Sequence, residues 1–123
     1  MAAKIRVALA DDHHLIRSGL KLLLGSDDSL EIVGEASDGT AALQLTEALQ
    51  PDILILDLSM PGMDGVECLR EIKRRGLATK VIVLTMFEDE NYIFTAMTAG
   101  ASGYVQKSSV DTELFQAIQN VMA

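Results

Sequence analysis

The fold is decided by the stretch Ile53-Leu54-Ile55-Leu56-Asp57-Leu58-Ser59-Met60-Pro61-Gly62-Met63-Asp64-Gly65. Its four consecutive branched aliphatics predict a strand buried on both faces, as in the centre of a parallel sheet. Asp57 follows at once, where such a strand leaves the sheet, and open α/β sheets bind their ligands at that end of their strands. Pro61-Gly62 then breaks the chain, and Asp64-x-x-Glu67 predicts a capped helix start. The stretch alone leaves two interpretations of Asp57: a carboxylate in a ligand site, or a residue that only caps a turn.

Composition predicts one acidic domain with an aliphatic core. The chain has 123 residues, of which 49% are hydrophobic and 4% aromatic, and its net charge is -8. An acidic domain repels phosphate backbones and anionic lipids, so we expect no direct contact of this domain with nucleic acid or membrane. The one cysteine, Cys68, is expected to be a small packed hydrophobe and fits a reducing compartment. Because no segment resembles a signal peptide or a membrane span, a cytoplasmic protein is predicted.

Strand and helix patterns alternate five times along the chain, with short connections. This strict alternation predicts a doubly wound α/β fold, with a parallel five-stranded sheet, right-handed crossovers and helices on both faces. The second strand alternates apolar and polar residues, as an edge strand does. The predicted strands run from Ile5 to Ala10, Leu30 to Glu35, Ile53 to Leu56, Lys80 to Thr85 and Ser102 to Gln106. The predicted helices cover Leu15 to Leu24 with a stop at Gly25, Asp38 to Leu49 ahead of Pro51, Asp64 to about Arg75, Glu88 to a stop at Gly100, and Val110 to Met122. Leu15 is among the residues that form the apolar side of the first helix, and Asp38 can cap the second.

Polar residues end four of the five predicted strands and should meet at the carboxyl edge of the sheet. They are Asp11 and Asp12 after the first strand, Asp57 after the third, Thr85 at the end of the fourth and Lys107 after the fifth. Three converging carboxylates repel one another and need a cation, and hard oxygen ligands suit Mg²⁺. A lysine and a hydroxyl beside them could neutralise and bind the oxygens of a phosphoryl group. The set therefore predicts a site that accepts a phosphoryl group on Asp57, with Mg²⁺ and Lys107 supplying positive charge and Thr85 donating to one phosphoryl oxygen.

Each of these residues also has an ordinary structural interpretation. The Asp11-Asp12 pair is typical of a turn and helix cap, Lys107 of a solvated surface, and Thr85 of a strand end. Their coincidence at successive strand ends favours the site.

The combination resembles a response-regulator receiver domain, a CheY-like (βα)5 fold. The residues that carry the likeness are Asp11-Asp12, Asp57 with Met60-Pro61-Gly62-Met63-Asp64-Gly65, Thr85, and Gly100-Ala101-Ser102-Gly103-Tyr104 leading to Lys107. Asp-Asp-His-x-Leu-Ile-Arg-x-Gly-Leu and Ala-Gly-Ala-Ser-Gly-Tyr resemble the NarL/FixJ subfamily. Since the likeness covers essentially the whole chain, residues 1–123 are expected to form one receiver domain.

The resemblance implies strand order 2-1-3-4-5 and phosphorylation of Asp57 by a sensor histidine kinase. It also implies Mg²⁺ bound by Asp12, Asp57 and the backbone carbonyl of Ser59, with Asp11 acting mostly through water. Thr85 and Tyr104 would be the switch residues, although the residue pattern alone favours a half-buried strand aromatic for Tyr104. The receiver would be no enzyme towards outside substrates and would catalyse only its own phosphorylation and dephosphorylation.

By the same analogy, Ser59 and Phe87 would flank the path of the hydrolytic water and tune the lifetime of the phosphoryl group. We expect Phe87 to shield it and the small Ser59 to leave one side open. His13 and His14 lie beside the acidic pair, and a solvent-facing helix start is the expected role of both.

Three other classes of protein could share this pattern. A phosphatase of the haloacid dehalogenase type needs a second Asp at position 59, where this chain has Ser. A flavodoxin-like module would offer amides and hydroxyls to the flavin phosphate where this chain has Asp11-Asp12-His13. An interaction module without chemistry would leave the clustered carboxylates unexplained.

Two outputs remain open. The subfamily resemblance favours the regulatory half of a transcription factor, with DNA bound through a missing C-terminal helix-turn-helix domain. The alternative is a single-domain receiver that docks on a partner. A phosphorylation-dependent homodimer is expected, through either the first and last helices or the face formed by the fourth helix, fifth strand and fifth helix.

Overall fold

The computed structural model describes residues 4–58, 64–85 and 90–123. Strands and helices alternate along these residues, as the sequence predicts, and a short 3-10 turn at Lys107–Ser109 joins the last strand to the last helix. The strands are β1 Ile5–Ala10, β2 Leu30–Ala36, β3 Ile53–Asp57, β4 Lys80–Thr85 and β5 Gly103–Gln106. The helices are α1 His14–Gly25, α2 Gly39–Leu49, α3 Gly65–Arg74, α4 Glu90–Ala99 and α5 Val110–Met122.

All strand pairs are parallel and the strand order is β2-β1-β3-β4-β5, which confirms the predicted order 2-1-3-4-5. The central strand β3 is buried along its whole length, with Ile55 paired to Leu9 of β1 and Ile82 of β4. The chain leaves β1 towards β2 on one side and returns to β3 on the other. This reversal lies between β1 and β3, where open α/β sheets form a crevice at the carboxyl ends of their strands.

The continuous aliphatic run of β3 serves two separate cores. Alternate side chains point to opposite faces of a strand, so Ile53 and Ile55 pack on one face and Leu54 and Leu56 on the other. The first face is covered by α1 and α5, through Leu20, Leu24, Leu114 and Ile118. The second is covered mainly by α2 and α3, through Ala42, Leu43, Cys68, Leu69 and Ile72. The expected packing role of Cys68 is confirmed, and burial raises the pKa of its thiol to about 11.

The predicted helix caps at Asp38 and Asp64 are present. The Asp38 carboxylate accepts a hydrogen bond from the Ala41 amide at 2.7 Å, and that of Asp64 accepts one from the Glu67 amide at 2.9 Å. Helix α4 ends before Gly100, as expected. Gly100 has a φ of 119°, a conformation that favours glycine. The helix starts and ends are therefore encoded locally.

Three details differ from the prediction. Gly25 is the last residue of α1, and the chain turns away through Ser26. Leu15 was expected on the buried side of α1 but is 84% exposed, because one residue is a 100° step and Ile16 takes the sheet-facing position. Strand β2 contains a bulge, since Val7 pairs with Ile32 while Ala8 pairs with Gly34.

The predicted start of the fourth helix at Glu88 and Asp89 lies outside the described residues, which resume at the start of α4. None of the helices in the described ranges is long and apolar enough to cross a membrane.

Candidate functional site

The strand ends bring five of the predicted site residues together at the carboxyl edge of the sheet, namely Asp11, Asp12, Asp57, Thr85 and Lys107. Asp11, Asp57 and Thr85 are 0%, 1% and 2% exposed, although each is polar or charged. Lys107 Nζ donates a hydrogen bond to Asp57 Oδ2 at 3.0 Å and lies 3.2 Å from Asp11 Oδ2. The ammonium group of Lys107 therefore holds two carboxylates from two neighbouring strands, with its side chain only 6% exposed.

Negative charge exceeds positive charge at this edge. Asp12 adds a third carboxylate, 31% exposed, beside the two that Lys107 contacts. Asp11 Oδ2 is buried and, among the described residues, makes no hydrogen bond, its contact being the ion pair with Lys107. Burying carboxylates without full compensation is costly. A bound cation would relieve that cost.

The β1–α1 loop adds a fourth group, the imidazole of His13. His13 Nδ1 lies 3.3 Å from Asp11 Oδ1 and 3.2 Å from Asp12 Oδ1. Asp11, Asp12, His13 and Asp57 each offer one ligand atom, and these atoms all lie within 4.8 Å of one another. The expectation of a solvent-facing helix start describes His13 only in part, because its side chain is 59% exposed while Nδ1 faces the carboxylates. The tripeptide Asp-Asp-His was the signal that could have indicated this position.

His14 lies elsewhere. Its Nδ1 is 3.5 Å from an Nη atom of Arg17, and the residue is exposed. The two adjacent histidines therefore have different surroundings, and only His13 belongs to the acidic cluster.

Backbone hydrogen bonds fix the loop that carries Asp11. The amide of Asp11 donates to the carbonyl of Ala36 at 3.1 Å, and the carbonyl of Asp11 accepts from Arg17 Nη1 at 2.6 Å. The amide of His13 donates to Asp11 Oδ1 at 2.8 Å. Arg17 is held in turn by Glu35, 3.4 Å from its Nε. The sequence patterns did not indicate this role of Arg17, because its partners lie in two different segments.

The exit from β3 depends on a close approach between Leu58 and Gly65. The Gly65 amide donates to the Leu58 carbonyl at 3.3 Å. A Cβ at position 65 would lie 2.6 Å from Leu58 Cα and 3.1 Å from the Asp57 carbonyl oxygen. Only glycine fits there without moving the backbone beside Asp57.

Thr85 ends β4 next to the cluster and pairs with Gln106 across the sheet. Tyr104 lies on β5 and is 45% exposed, which agrees with a half-buried strand aromatic. Ser59 and Phe87, the predicted lifetime-tuning residues, lie outside the described residues, as does the Ser59 carbonyl predicted as a metal ligand.

The donor set fits a hard divalent cation. The carboxylates of Asp11, Asp12 and Asp57 supply oxygen ligands, and Mg²⁺ prefers a few carboxylates with water completing its shell. When bound, such a cation would neutralise charge on the oxygens of a phosphoryl group. The site could thus hold both a metal ion and a phosphoryl group at one carboxylate.

This fold and site define a doubly wound α/β domain with an acidic cluster at its topological switch point. The model of the response regulator receiver domain matches residues 7–119, and the chain belongs to this family. Receiver domains are regulatory parts of two-component systems rather than classical enzymes, and phosphorylation and Mg²⁺ binding are typical of them.

Curated relatives point to the same subfamily as the sequence motifs. The transcriptional regulatory protein LiaR of Bacillus subtilis is 42% identical over 115 residues, covering 94% of this chain and 54% of LiaR. The nitrate/nitrite response regulator protein NarL of Escherichia coli is 36% identical over 117 residues, covering 95% of this chain and 54% of NarL. The chain therefore spans about half the length of these relatives.

Solved structures agree with the fold. The signal receiver domain of NarL from Mycobacterium tuberculosis is 37% identical, with a TM-score of 0.93 over 97% of this chain and 96% of that one. The receiver domain of RcsB from Salmonella enterica, solved with the phosphomimetic BeF₃⁻, is 31% identical with a TM-score of 0.88, over 97% of this chain and 88% of that one. The receiver fold and its NarL/LuxR-type subfamily, both predicted from the motifs, are confirmed.

Proposed function

We propose that this chain is a phosphoacceptor receiver domain in which Asp57 takes a phosphoryl group from a sensor histidine kinase in a Mg²⁺-dependent step. One observation carries the proposal. The Asp57 carboxylate is 1% exposed at the end of the central strand, bonded to Lys107 at 3.0 Å and flanked by the acidic pair. Burying Asp57 among other charged groups costs free energy, so packing of the fold does not explain this arrangement.

In the proposed step, an Asp57 oxygen attacks the phosphorus atom while the bond from phosphorus to the kinase imidazole nitrogen breaks. The freed imidazole keeps the electron pair and takes a proton from solvent. Lys107 would neutralise one phosphoryl oxygen, and the hydroxyl of Thr85 would donate to another. Asp11, Asp12, Asp57 and the Ser59 carbonyl would hold Mg²⁺. Loss of the group by attack of water would restore the carboxylate and release phosphate.

The switch and the lifetime of the phosphoryl group are further parts of the proposal. Thr85 would move towards the phosphoryl group, and Tyr104, which is 45% exposed, would change its rotamer. Phe87 would slow hydrolysis by shielding, so Phe87→Ala should speed loss of the aspartyl phosphate. Slower or unchanged decay of the aspartyl phosphate in that variant would contradict the shielding role of Phe87.

The proposed output is transcription. Response regulators of this family bind DNA through a C-terminal domain, and the chain matches about half of LiaR, which is named as a transcriptional regulatory protein. We propose that residues 1–123 are the receiver part of such a cytoplasmic protein. The net charge of -8 supports DNA binding outside this domain. The alternative is a receiver that signals by docking on a partner.

We also propose a phosphorylation-dependent homodimer. Both expected faces carry exposed apolar side chains, which mark interaction surfaces. Leu15 and Leu22 on α1 are 84% and 81% exposed, and Phe94 and Met97 on α4 are 71% and 41% exposed. Sedimentation of the beryllofluoride complex of Leu22→Glu and of Phe94→Glu would show which face forms the dimer. The substitution on the face that forms the dimer should give a monomer, and the other should leave the dimer intact.

The proposed function is tested by incubating the chain with Mg²⁺ and acetyl phosphate and recording its intact mass. We expect one phosphoryl group on the wild type and on Asp52→Asn, a control that changes an exposed aspartate. Asp57→Asn and chelator-treated wild type should gain none. Phosphorylation of Asp57→Asn, or none of the wild type, would contradict the proposal.

A further inference from the structure

The ring nitrogen Nδ1 of His13 faces the carboxylates of Asp11 and Asp12, which are candidate ligands of a divalent cation. Its Nδ1 is 3.2 Å from Asp12 Oδ1 and 3.3 Å from Asp11 Oδ1. Neighbouring ligands in an octahedral shell with bonds of about 2.0–2.1 Å are roughly 3 Å apart. The ring nitrogen therefore lies at about the separation of an adjacent ligand from each of these two carboxylate oxygens.

The ring is placed by its own backbone. The His13 amide donates to Asp11 Oδ1, the same oxygen that lies 3.3 Å from the ring nitrogen. That bond ties the position of the imidazole to the position of the carboxylate. On the far side of Asp11, the buried Oδ2 makes no hydrogen bond among the described residues and contacts Lys107. The cluster thus combines carboxylates that lack full compensation with one imidazole nitrogen.

A nitrogen donor changes which ions the site prefers. Carboxylate and water ligands suit Mg²⁺, whereas imidazole suits Zn²⁺, Ni²⁺, Co²⁺ and Cu²⁺, whose affinity for such sites follows the Irving–Williams order. Ligation uses the Nδ1 lone pair, so the metal-bound ring carries its proton on Nε2. Because the His13 side chain is 59% exposed, its ring can adopt this tautomer and bind a metal without repacking of the core.

We propose that His13 is a metal ligand that determines ion specificity, giving this receiver a site for borderline divalent cations such as Co²⁺ and Zn²⁺ beside Mg²⁺. The proposal rests on the proposed cation site of Asp11, Asp12 and Asp57, but not on phosphoryl transfer.

The test uses the full chain and two matched variants, His13→Ala and His14→Ala. His14 is adjacent and exposed, and its ring lies beside Arg17 rather than in the acidic cluster. Loss of a metal ligand's outer partner alone lowers affinity about tenfold to a hundredfold, so loss of a ligand should weaken Co²⁺ binding at least about tenfold. Calorimetric titration should show this loss in His13→Ala, with Mg²⁺ affinity changed less than about twofold, and no loss in His14→Ala.

Pulsed electron paramagnetic resonance of the Mn²⁺-loaded chain supplies a readout of ligation itself. Modulation from a directly bound ¹⁴N is expected in the wild type and in His14→Ala, and is expected to vanish in His13→Ala. Absence of nitrogen coupling in the wild type, or equal weakening of Co²⁺ and Mg²⁺ in His13→Ala, would overturn the role of His13. If Mg²⁺ still binds and Asp57 is still phosphorylated, the proposed function survives that result. A chain that binds none of these ions contradicts both.

Discussion

Arg6 and Asp52 at the amino edge of the sheet are partly or fully exposed and bond to backbone groups, whereas Asp11, Asp57 and Lys107 at the carboxyl edge have buried side chains that contact one another. At the amino edge, Arg6 Nη1 donates to the carbonyls of Leu49 at 2.9 Å and Gln50 at 3.1 Å. Asp52 accepts from the Arg6 amide at 2.9 Å. At the carboxyl edge, Asp57 and Lys107 satisfy each other away from solvent.

The two edges of the sheet therefore have different roles: contacts at the amino edge stabilise the fold, and those at the carboxyl edge form the candidate site. The charged side chains of Arg6 and Asp52 at the amino edge stabilise the connection before β3 and keep contact with water, which costs little. Carboxylates at the other edge exceed the one ammonium that contacts them, so their burial opposes folding. Arrangements that oppose folding are typical of sites retained for binding or chemistry.

The largest expected effect is that of removing the ammonium group from the carboxyl edge. Lys107→Ala removes the ammonium group that contacts the two buried carboxylates of Asp11 and Asp57, which should lower the free energy of unfolding by about 3 kcal/mol in the absence of divalent cations. Lys80→Ala removes an exposed lysine of the amino edge and should change it by less than about 0.5 kcal/mol. Urea unfolding of both variants measures the contrast. Equal losses would mean that burial of charge does not distinguish the two edges.

A glycine at each edge gives the next contrast. Gly65→Ala places a methyl group 2.6 Å from Leu58 Cα, and such overpacking should cost about 2 kcal/mol and also slow phosphorylation of Asp57. Gly76, in the α3–β4 loop at the amino edge, has a φ of 68° and no described atom within 4 Å of an added Cβ. Gly76→Ala should cost about 1 kcal/mol of backbone strain and leave phosphorylation unchanged. If both variants were phosphorylated at the wild-type rate, the Gly65 contact would be structural only.

The smallest effect concerns the surface ion pairs near the end of α3. Hydrogen bonding to Arg74, with smaller contributions from the charges of Arg74 and Arg75, lowers the pKa of Glu71 to about 2. A depressed pKa in the folded state contributes stability above the ordinary value of 4.5, and this contribution disappears as the pH falls towards 2. Thermal melts should therefore place Glu71→Gln slightly below the wild type at pH 6 and level with it near pH 2. Salt should reduce the difference at pH 6, and a gap that persists at pH 2 would rule out this origin.

Short sequence patterns predicted most strands and helices because the residues that determine each element lie within it or next to it. The buried runs of β3 and β4, the caps at Asp38 and Asp64 and the stop at Gly100 each lie within a few residues of the feature they determine. Parallel alternation then places every strand end at one edge, which is why Lys107 and Asp57 could be paired although they are 50 positions apart.

The features that were not predicted depend on side-chain direction or distant partners. The helical phase that exposes Leu15 and buries Leu20 and Leu24 is set by the fit of α1 on the sheet. Arg17 contacts the Asp11 carbonyl and Glu35, and no motif links those three positions. The inward direction of the His13 ring nitrogen follows from the turn that holds Asp11. Sequence motifs encode neither the direction of a side chain nor its contacts with other segments, so these features could not be predicted from motifs.

The buried carboxylates at the carboxyl edge lower the stability of the fold, and they are retained because they hold a cation and include the acceptor carboxylate. Thermal unfolding of the wild type, Asp57→Asn and the amino-edge control Asp52→Asn, with and without Mg²⁺, tests it directly. Without Mg²⁺, Asp57→Asn should be more stable than the wild type by about 1 kcal/mol, because one buried negative charge is removed, and Asp52→Asn should not be. Mg²⁺ should raise the Tm of the wild type and Asp52→Asn but hardly that of Asp57→Asn. A destabilised Asp57→Asn that Mg²⁺ stabilises as much as the wild type would contradict the claim.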